Sequence, residues 1–518
     1  MKPMDMIATD YNCEDLGLTR LCLMENAGRG ISDEIAKLST FTFSKPVKII
    51  IFAGSGGNGG DGFVAGRHLL NRGFEVDIIV LSNYIKSKDS ETNFNILNNM
   101  SPSFSRLTIK YIDTVEDLKE LDLFKSDSFS DFIIVDAIFG TGIKGKLKTK
   151  IRRTIEIINK SNGLKVSIDV PSGINPETGE IADIAVEANY TISLHKTKSG
   201  VKIAGEDLVG NIISCDIGIP IEAQVFLGSG DLLRIKNRLD YSHKGENGKI
   251  LIVGGNNDYS GAPSIAGLSA LSTGVDLVYI GSLKDNSLAI KSYSPDFIVK
   301  SLKGNYLNLD NQKDILKIAD SVDTVLLGPG AGLEEETGKL FNILISKINK
   351  PIVLDADALK LIDLKLIKNK KDLVITPHFQ EFKIFFKGII ENENLDNELK
   401  YLNLNFDKLN YNQVHDKIAI FQKITKNIKG TIILKGKYDL IFQDNKFRLN
   451  KTGNSAMTVG GTGDSLAGIV TSLLSQGLDS FNAACLGTYL NGKAGDLAFN
   501  KYGNGFKASD LSKFLLKL

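Results

Sequence analysis

Apolar positions along this chain come in short continuous runs separated by longer stretches with helical spacing. In the first half the runs Val47 to Ala53, Val76 to Leu81, Phe132 to Ile138 and Lys165 to Val170 predict strands, followed by Tyr190 to Leu194 and Asn211 to Asp216. A long helical pattern over Glu14 to Leu38 precedes them. Strands that are apolar throughout, rather than alternating, are what a parallel sheet covered on both faces requires. The first half is therefore expected to be α/β with a Rossmann-like doubly wound sheet. After a mixed stretch around Glu222 to Asp240 the pattern restarts, with strands at Lys249 to Gly254, Thr324 to Leu327, Pro351 to Asp355 and Leu373 to Thr376, and a helix over Ala262 to Thr273. A strand at Thr431 to Leu434, a hairpin around Tyr438 to Leu449 and helices after Gly463 and Ser480 complete it. Two α/β domains are expected, 1–225 and 226–518, with no residue-level repeat between them.

Length and composition bound what such a chain does. Its 518 residues suit two large domains rather than one. With 62 basic and 61 acidic residues the formal charge is +1, so the chain as a whole has no field to steer nucleic acid or an anionic membrane. Any anion site must be local. Cys13, Cys22, Cys215 and Cys485 are too few and too scattered for a disulfide framework, which makes a reducing, cytoplasmic location the expectation. The first residues lack a signal-peptide pattern, and no apolar run approaches the roughly 20 residues of a spanning helix. Glycine is plentiful, 50 residues, and concentrates in a few loops at predicted strand ends.

Three of those loops lie in the first half. Val47 to Ala53 leads into Gly54-Ser55-Gly56-Gly57-Asn58-Gly59-Gly60-Asp61-Gly62, a strand-to-helix turn of the kind that brings backbone N–H groups close to an anion. The spacing of Gly54, Gly56 and Gly59 fits a dinucleotide fingerprint only weakly in so glycine-rich a segment. The second strand end is Val135-Asp136-Ala137-Ile138-Phe139-Gly140-Thr141-Gly142-Ile143-Lys144-Gly145, and the third is Ile168-Asp169-Val170-Pro171-Ser172-Gly173. A carboxylate at the end of an apolar strand must be paired, hydrogen-bonded or bound to a cation. Asp136 is either such a ligand or an organiser of its own loop. All three loops converge where open α/β sheets bind ligands.

With these motifs, from Met24-Glu25-Asn26-Ala27-Gly28 to Cys215-Asp216-Ile217-Gly218-Ile219-Pro220, the first half resembles the YjeF N-terminal family, the NAD(P)H-hydrate epimerases. The resemblance implies that Asn58, Asp136 and Ser172 help hold K+. It also implies that Gly57, Asn58, Gly59, Gly60 and Asp61, then Gly140, Thr141, Gly142, Ile143, Lys144, Gly145 and Lys146, contact the hydrated cofactor. Asp169 would touch the same substrate as a catalytic carboxylate, its bland alternative being a loop-bracing acceptor. Gly57 departs from the pattern, since many relatives carry a second Asn there.

In the second half the run Gly453-Asn454-Ser455-Ala456-Met457-Thr458-Val459-Gly460-Gly461-Thr462-Gly463-Asp464 leads into an apolar helix. Consecutive N–H groups at a helix start make an anion cradle, and a carboxylate at its edge can take a proton from a substrate hydroxyl. Phosphoryl transfer uses that pairing. Asp464 as a plain helix cap is the alternative. This G-x-G-D pattern resembles the ribokinase-like superfamily. Tyr259-Ser260-Gly261-Ala262, Gly328-Pro329-Gly330, Leu354-Asp355-Ala356-Asp357, Thr376-Pro377-His378 and Leu434-Lys435-Gly436-Lys437-Tyr438-Asp439 narrow the likeness to the YjeF C-terminal family, the ADP- or ATP-dependent NAD(P)H-hydrate dehydratases.

That resemblance implies a ribokinase-like α/β fold. It places Ala262, Gly330, His378 and Asp464 around the hydrate, with Asp464 the catalytic base. Lys435, Gly436, Lys437, Tyr438, Asp439 and Gly463 would contact the adenine nucleotide, with Mg2+ on its phosphates. The alternatives are a satisfied loop histidine for His378 and a solvated strand-end lysine for Lys435, whose place between a β-run and a hairpin favours nucleotide contact. Phe379-Gln380 replaces the Pro-Gly that relatives commonly carry after the histidine. The two resemblances together imply a bifunctional enzyme acting on the NADH and NADPH hydrates, NADHX and NADPHX, with ADP or ATP as co-substrate. No nucleic acid or membrane partner is expected, and a homo-oligomer is. The alternative is a ribokinase-like small-molecule kinase with a regulatory or binding N-terminal domain.

Overall fold

Period-two packing on both faces of each strand builds two sheets, and the loops at their carboxyl ends carry the polar residues. The computed structural model describes residues 1–45, 47–100, 106–120, 132–140, 146–181, 183–392 and 411–518, and every structural statement concerns these. Among them the chain divides into two compact units, Met1–Ala223 and Gln224–Leu518.

In the first unit the strands are β1 (Lys48–Ala53), β2 (Glu75–Val80), β3 (Leu107–Tyr111), β4 (Phe132–Ala137), β5 (Leu164–Ile168), β6 (Tyr190–Leu194) and β7 (Asn211–Cys215). They lie in the order β3-β2-β1-β4-β5-β6-β7, all parallel. Helices α1 (Pro3–Asp15), α2 (Arg20–Thr42), α3 (Gly57–Asn71), α4 (Lys88–Met100) and α5 (Thr149–Lys160) cover the sheet. Alternate residues of β1 separate by face. Ile49, Ile51 and Ala53 share a core with Ile31, Ile35 and Phe63 of α2 and α3, whereas Ile50 and Phe52 pack with Ile151, Ile155 and Ile158 of α5.

The helical pattern read over Glu14 to Leu38 is not one helix. It is the end of α1 and most of α2, divided where Gly17 takes φ +86° and the Thr19 hydroxyl caps α2 by accepting from Cys22 N at 3.3 Å. A residue with that φ cannot continue a right-handed helix.

The second unit holds β8 (Lys249–Val253), β9 (Leu277–Leu283), β10 (Phe297–Leu302), β11 (Thr324–Leu327), β12 (Ile352–Leu354), β13 (Leu373–Ile375), β14 (Thr431–Leu434), β15 (Asp439–Gln443) and β16 (Lys446–Asn450). Their order is β10-β9-β8-β11-β12-β13-β14-β15-β16, parallel as far as β14 and antiparallel across the hairpin β15–β16. Strands β3, β9 and β10 are additions to the sequence reading. No described helix is long and apolar enough to cross a membrane, and all four cysteines are free thiols.

The order of strand addition reverses beside β1 in the first sheet and beside β8 in the second, so each sheet has a crevice at its carboxyl edge, between β1 and β4 and between β8 and β11. Both crevices are closed at the base by a glycine. A Cβ on Gly54 would lie 2.0 Å from Ile138 O, and one on Gly254 would lie 2.2 Å from Pro329 O. The helices beside the second crevice, Gly261–Ser272 and Thr462–Ser475, are equally close, since a Cβ on Gly468 would lie 2.0 Å from Ala266 O.

Because backbone cannot yield there, Gly468→Ala is expected to destabilise the second unit by about 1–3 kcal/mol. Gly388→Ala, where a Cβ meets open space, should change stability by less than about 0.5 kcal/mol. Denaturant midpoints of the two full-length variants, followed by circular dichroism, check the contrast.

Candidate active sites

At the first crevice, β4 delivers Asp136, which is 1% exposed. Its burial is made tolerable by four donors. Oδ1 accepts from Ser172 Oγ at 2.6 Å and Ile138 N at 3.2 Å, and Oδ2 from Ser172 N at 2.8 Å and Ser167 Oγ at 2.9 Å. Burial raises the Asp136 carboxyl above its ordinary value, and the Ser172 and Ser167 hydrogen bonds hold the rise in check. Ser172 Oγ also accepts from Phe139 N at 3.0 Å, and Asn58, in the first turn of α3, donates from Nδ2 to Phe139 O at 3.0 Å. Asn58, Asp136 and Ser172 are thus joined through one backbone residue. Among the described residues Asn58 Oδ1 accepts no hydrogen bond, and it faces Gly140, whose Cβ position is 3.4 Å away. The side-chain oxygens gathered here suit a hard cation rather than a soft one.

The glycines of the preceding turn have separate roles. A Cβ on Gly59 would lie 2.0 Å from Gly54 O and one on Gly60 would press on Ser90 and Met24, so packing demands both. Around Gly57 there is open space, and its small size leaves room beside Asn58. Lys146 lines a cavity of about 520 Å³ with Gly54, Ile138 and Phe139. Thr141, Gly142, Ile143, Lys144 and Gly145 lie outside the described residues.

Asp169 ends β5 in an unusual backbone state. Its φ is +64°, and Val170 N donates to Ile168 O at 2.7 Å, closing a γ-turn of the rarer hand. His195, at the end of neighbouring β6, repeats this with φ +61° and Lys196 N donating to Leu194 O at 2.8 Å. Each such residue costs on the order of 1–3 kcal/mol, and strain of this kind collects at functional sites. Asp169 Oδ1 accepts from Leu194 N at 3.1 Å and from the ammonium of Lys198, a side chain 1% exposed. Asp61, one turn into α3, makes no hydrogen bond. Burial, then the charges of Asp169 and Asp10, raise its carboxyl well above the ordinary value. Asp10 of α1 is pushed up to about 7, chiefly by burial. Sequence reasoning passed over Lys198 and Asp10; the only signal for the lysine was a cation four residues beyond a strand end.

At the second crevice, Lys435 leaves β14 and donates from Nζ to Asp355 Oδ1 at 3.0 Å, an oxygen that also accepts from Thr376 Oγ1 at 2.7 Å. The Asp355 side chain is 2% exposed. A Cβ on Gly463 would lie 3.2 Å from Lys435 Nζ, so the ammonium stands at the start of the helix Thr462–Ser475, whose first N–H groups have no intrahelical acceptor. The turn into that helix relies on Gly461, at φ +101°. Positive charge and helix N-terminus meet at one point, a combination that attracts an anion.

Asp464 follows directly and accepts no hydrogen bond. Burial, with the charge of Asp355, raises it to about 7, and Lys435 opposes the rise. Burial alone would lower Lys435, but Asp355, Glu381 and Asp464 outweigh it and keep the ammonium charged.

Around this point the structure gathers most of the residues singled out in the sequence. Lys435, Gly436, Lys437, Tyr438, Asp439 and Gly463 all line one cavity of about 600 Å³. Asp439 stiffens its rim, with Oδ1 accepting from Gly436 N at 3.1 Å and Oδ2 from Asn450 Nδ2 at 3.1 Å. Gly330, at φ +60°, sits against Ala262, whose Cβ is 3.3 Å from a Cβ position on the glycine. His378 Nδ1 caps its own helix by accepting from Gln380 N and Glu381 N at 3.2 and 3.3 Å, which leaves the proton on Nε2. Asn454 and Asn491 also line the cavity; Asn491 was not singled out, and Asn454, like Asp355, was noted as part of a motif without a role.

A family model described as NAD(P)H-hydrate dehydratase matches residues 250–517, and one described as YjeF-related protein N-terminus matches residues 20–200. Over 516 residues the chain is 44% identical to the bifunctional NAD(P)H-hydrate repair enzyme Nnr of Methanothermobacter thermautotrophicus, covering 99% of this chain and 93% of the relative. The enzyme of the same name from Hyperthermus butylicus is 36% identical over 98% of this chain and 90% of its own length. Among solved structures, the ADP/ATP-dependent NAD(P)H-hydrate dehydratase from Bacillus subtilis, co-crystallized with ATP/Mg2+, is 24% identical. It covers 57% of this chain and 96% of its own, with a TM-score of 0.44.

The Asp464 environment makes a direct prediction. In the free protein its carboxyl should titrate near pH 7 by carbon NMR of labelled aspartate. Lys435→Met should move that titration upward and Asp355→Asn downward, each by about one pH unit or more. A titration in the ordinary carboxylate range would contradict the site's electrostatics.

Proposed function

The chain belongs to the bifunctional NAD(P)H-hydrate repair enzymes, and on that footing we propose how the work is divided among its residues: the β1–β4 crevice exchanges the hydrate epimers and the β8–β11 crevice dehydrates one of them. It is an NAD(P)H-hydrate epimerase and dehydratase. Its substrates are the R and S hydrates formed when water adds to the nicotinamide ring of NADH or NADPH. The observation that carries the second assignment is the meeting of Lys435, the free N–H groups at Gly463 and the unbonded carboxyl of Asp464.

In dehydration, Asp464 takes the proton from the ring hydroxyl of the S hydrate as that oxygen attacks the terminal phosphorus of ADP or ATP. The phosphoryl group passes to the hydroxyl, and AMP or ADP leaves. The ring nitrogen's electron pair then expels phosphate, and loss of a proton from the neighbouring carbon restores the dihydropyridine. A carboxyl with a pKa near 7 is matched to this task, since it is ionised in about half of molecules at neutral pH and still basic enough to accept the proton. Lys435 and the helix N-terminus neutralise charge on the transferring phosphate. The 600 Å³ cavity takes the nucleotide, with Lys435 to Asp439 along one wall. Ala262, Gly330 and His378 take the hydrate. Asp355, Asp357 and Glu381, whose charges all act on Asp464, would give an acidic surround to Mg2+, which when bound would supply counter-charge to the nucleotide phosphates.

Epimer exchange needs the carbon–hydroxyl bond broken and remade on the opposite face. The hydroxyl leaves as water with a proton from an acid while the ring nitrogen forms a double bond to carbon; water then returns and gives a proton to a base. Asp169 is the base, and Asp61, whose carboxyl is raised well above its ordinary value by burial and by the charges of Asp169 and Asp10, is placed to act as the acid. Asn58, Asp136 and Ser172 would hold K+, which when bound would supply positive charge to this site. Gly57 to Asp61 and Gly140 to Lys146 hold the cofactor.

Asp464→Asn should lose dehydration by about 100-fold or more, because an amide cannot serve as the base, while R-to-S exchange continues at the wild-type rate. Reduced-nicotinamide absorbance reads the first and epimer-resolving chromatography the second. Near-normal dehydration by the folded variant would overturn the assignment. Lys435→Ala should raise the Kd for nucleotide about tenfold or more and leave hydrate binding within about threefold, measured by separate calorimetric titrations. Equal weakening of both would remove Lys435 from the nucleotide site.

A further inference from the structure

Lys198 lies outside every motif read from the sequence, yet it is among the largest fully buried side chains of the protein. A lysine that solvent does not reach is held by what it bonds. Its Nζ donates to Asp169 Oδ1 and, at 3.0 Å, to Leu194 O, and among the described residues to no other acceptor. Leu194 N donates to the same Asp169 oxygen at 3.1 Å. Both donors therefore converge on Oδ1, and among the described residues Oδ2 of Asp169 is left with no hydrogen bond.

We propose that Lys198 is the positioning residue of epimer exchange: by occupying Oδ1 its ammonium turns Asp169 so that Oδ2 is presented to the hydrate ring. The proposal rests on the epimerase reading of this crevice. Three features of the surroundings support it.

Asp169 and His195 sit in adjacent γ-turns of the rarer hand, and the second of these turns the chain so that Lys198 reaches back over the first. A backbone state of this cost persists only where its surroundings over-determine it, and the Lys198–Asp169 pair is one such tie. The carboxyls that face this pair are Asp61 from α3 and Asp10 from α1, the latter with Oδ1 buried and unbonded. Both are raised by burial and by their mutual proximity to Asp169, so Asp169 is the one of the three whose charge has a bonded cation. A lysine buried to this degree does not touch a ring bound in the crevice. Its effect must pass through Asp169, which makes it a positioning group and not a catalytic one.

The test uses the full-length chain, the R hydrate of NADH and potassium chloride, with R-to-S exchange followed by chromatography. Lys198→Met should lower kcat for exchange by about 100-fold while KM stays within about threefold, because the binding surface is intact and only the base is misaimed. Lys198→Arg, which keeps the charge and donates to the same oxygen, should recover kcat to within about tenfold of wild type. Exchange by Lys198→Met within about threefold of wild type overturns the proposal, as does equal impairment of both folded variants. Should the methionine variant fail to fold by circular dichroism, the arginine variant decides alone. Retention of exchange to within about tenfold supports the role, and a loss of about 100-fold in a folded protein contradicts it. Wild-type protein that does not exchange the epimers would overturn the epimerase reading itself.

Discussion

A carboxylate cannot be buried at the end of an apolar parallel strand unless donors are brought to it, and the architecture of both crevices follows from that requirement. Asp136, Asp169 and Asp355 end β4, β5 and β12 and are 1, 7 and 2% exposed. Each is satisfied differently. Asp136 draws two serines and two backbone N–H groups onto its two oxygens. Asp355 and Asp169 each receive a lysine on one oxygen, Lys435 in one case and Lys198 in the other. The loops take their course from these bonds, and ligand contacts are built on the loops.

The lysine–aspartate device recurs with different outcomes. Lys435 is partly exposed, 21% by side chain, and its ammonium stands beside Gly463 at a helix start, where it is available to an anionic ligand. Lys198 is 1% exposed and is held by its aspartate and by Leu194 O. In each unit a second carboxyl nearby is left without a cation of its own, Asp464 in one and Asp61 in the other, and burial pushes both upward. An ionised carboxylate and a protonatable one, set apart by their partners, are what acid–base chemistry at neutral pH calls for. The same physics supports a base for phosphoryl transfer in one crevice and an acid–base pair in the other.

Much of this was legible in the sequence because fully covered parallel strands leave unbroken apolar runs and because crevice loops need glycine. The loops at Gly54, Asp136, Asp169, Lys435 and Gly461 and every interior strand except β9 could be read that way. Strands β3 and β10 could not, since each is an edge strand with exposed positions such as Tyr111 and Ile298, and its pattern is mixed. The break between α1 and α2 turned on one left-handed residue, Gly17, inside a helical rhythm. Lys198 and Asp10 were invisible for another reason. A lysine in a polar loop and an aspartate on an N-terminal helix read as surface, and only pairing across 29 residues buries the first. Asp355 was visible as part of a motif, but its role depends on Lys435, 80 residues away.

The central claim is that one chain carries two chemically separate sites acting in sequence on one substrate pool. The most direct measurement starts from purified R hydrate, wild-type protein, ADP or ATP, magnesium and potassium, and follows both epimers together with the recovery of reduced nicotinamide. The account predicts that R disappears completely, that S appears transiently, and that one phosphate is released for each reduced nicotinamide regained. Conversion of R to reduced nicotinamide with no S formed and unaffected by loss of Asp169, or R left untouched while added S is consumed, would contradict it.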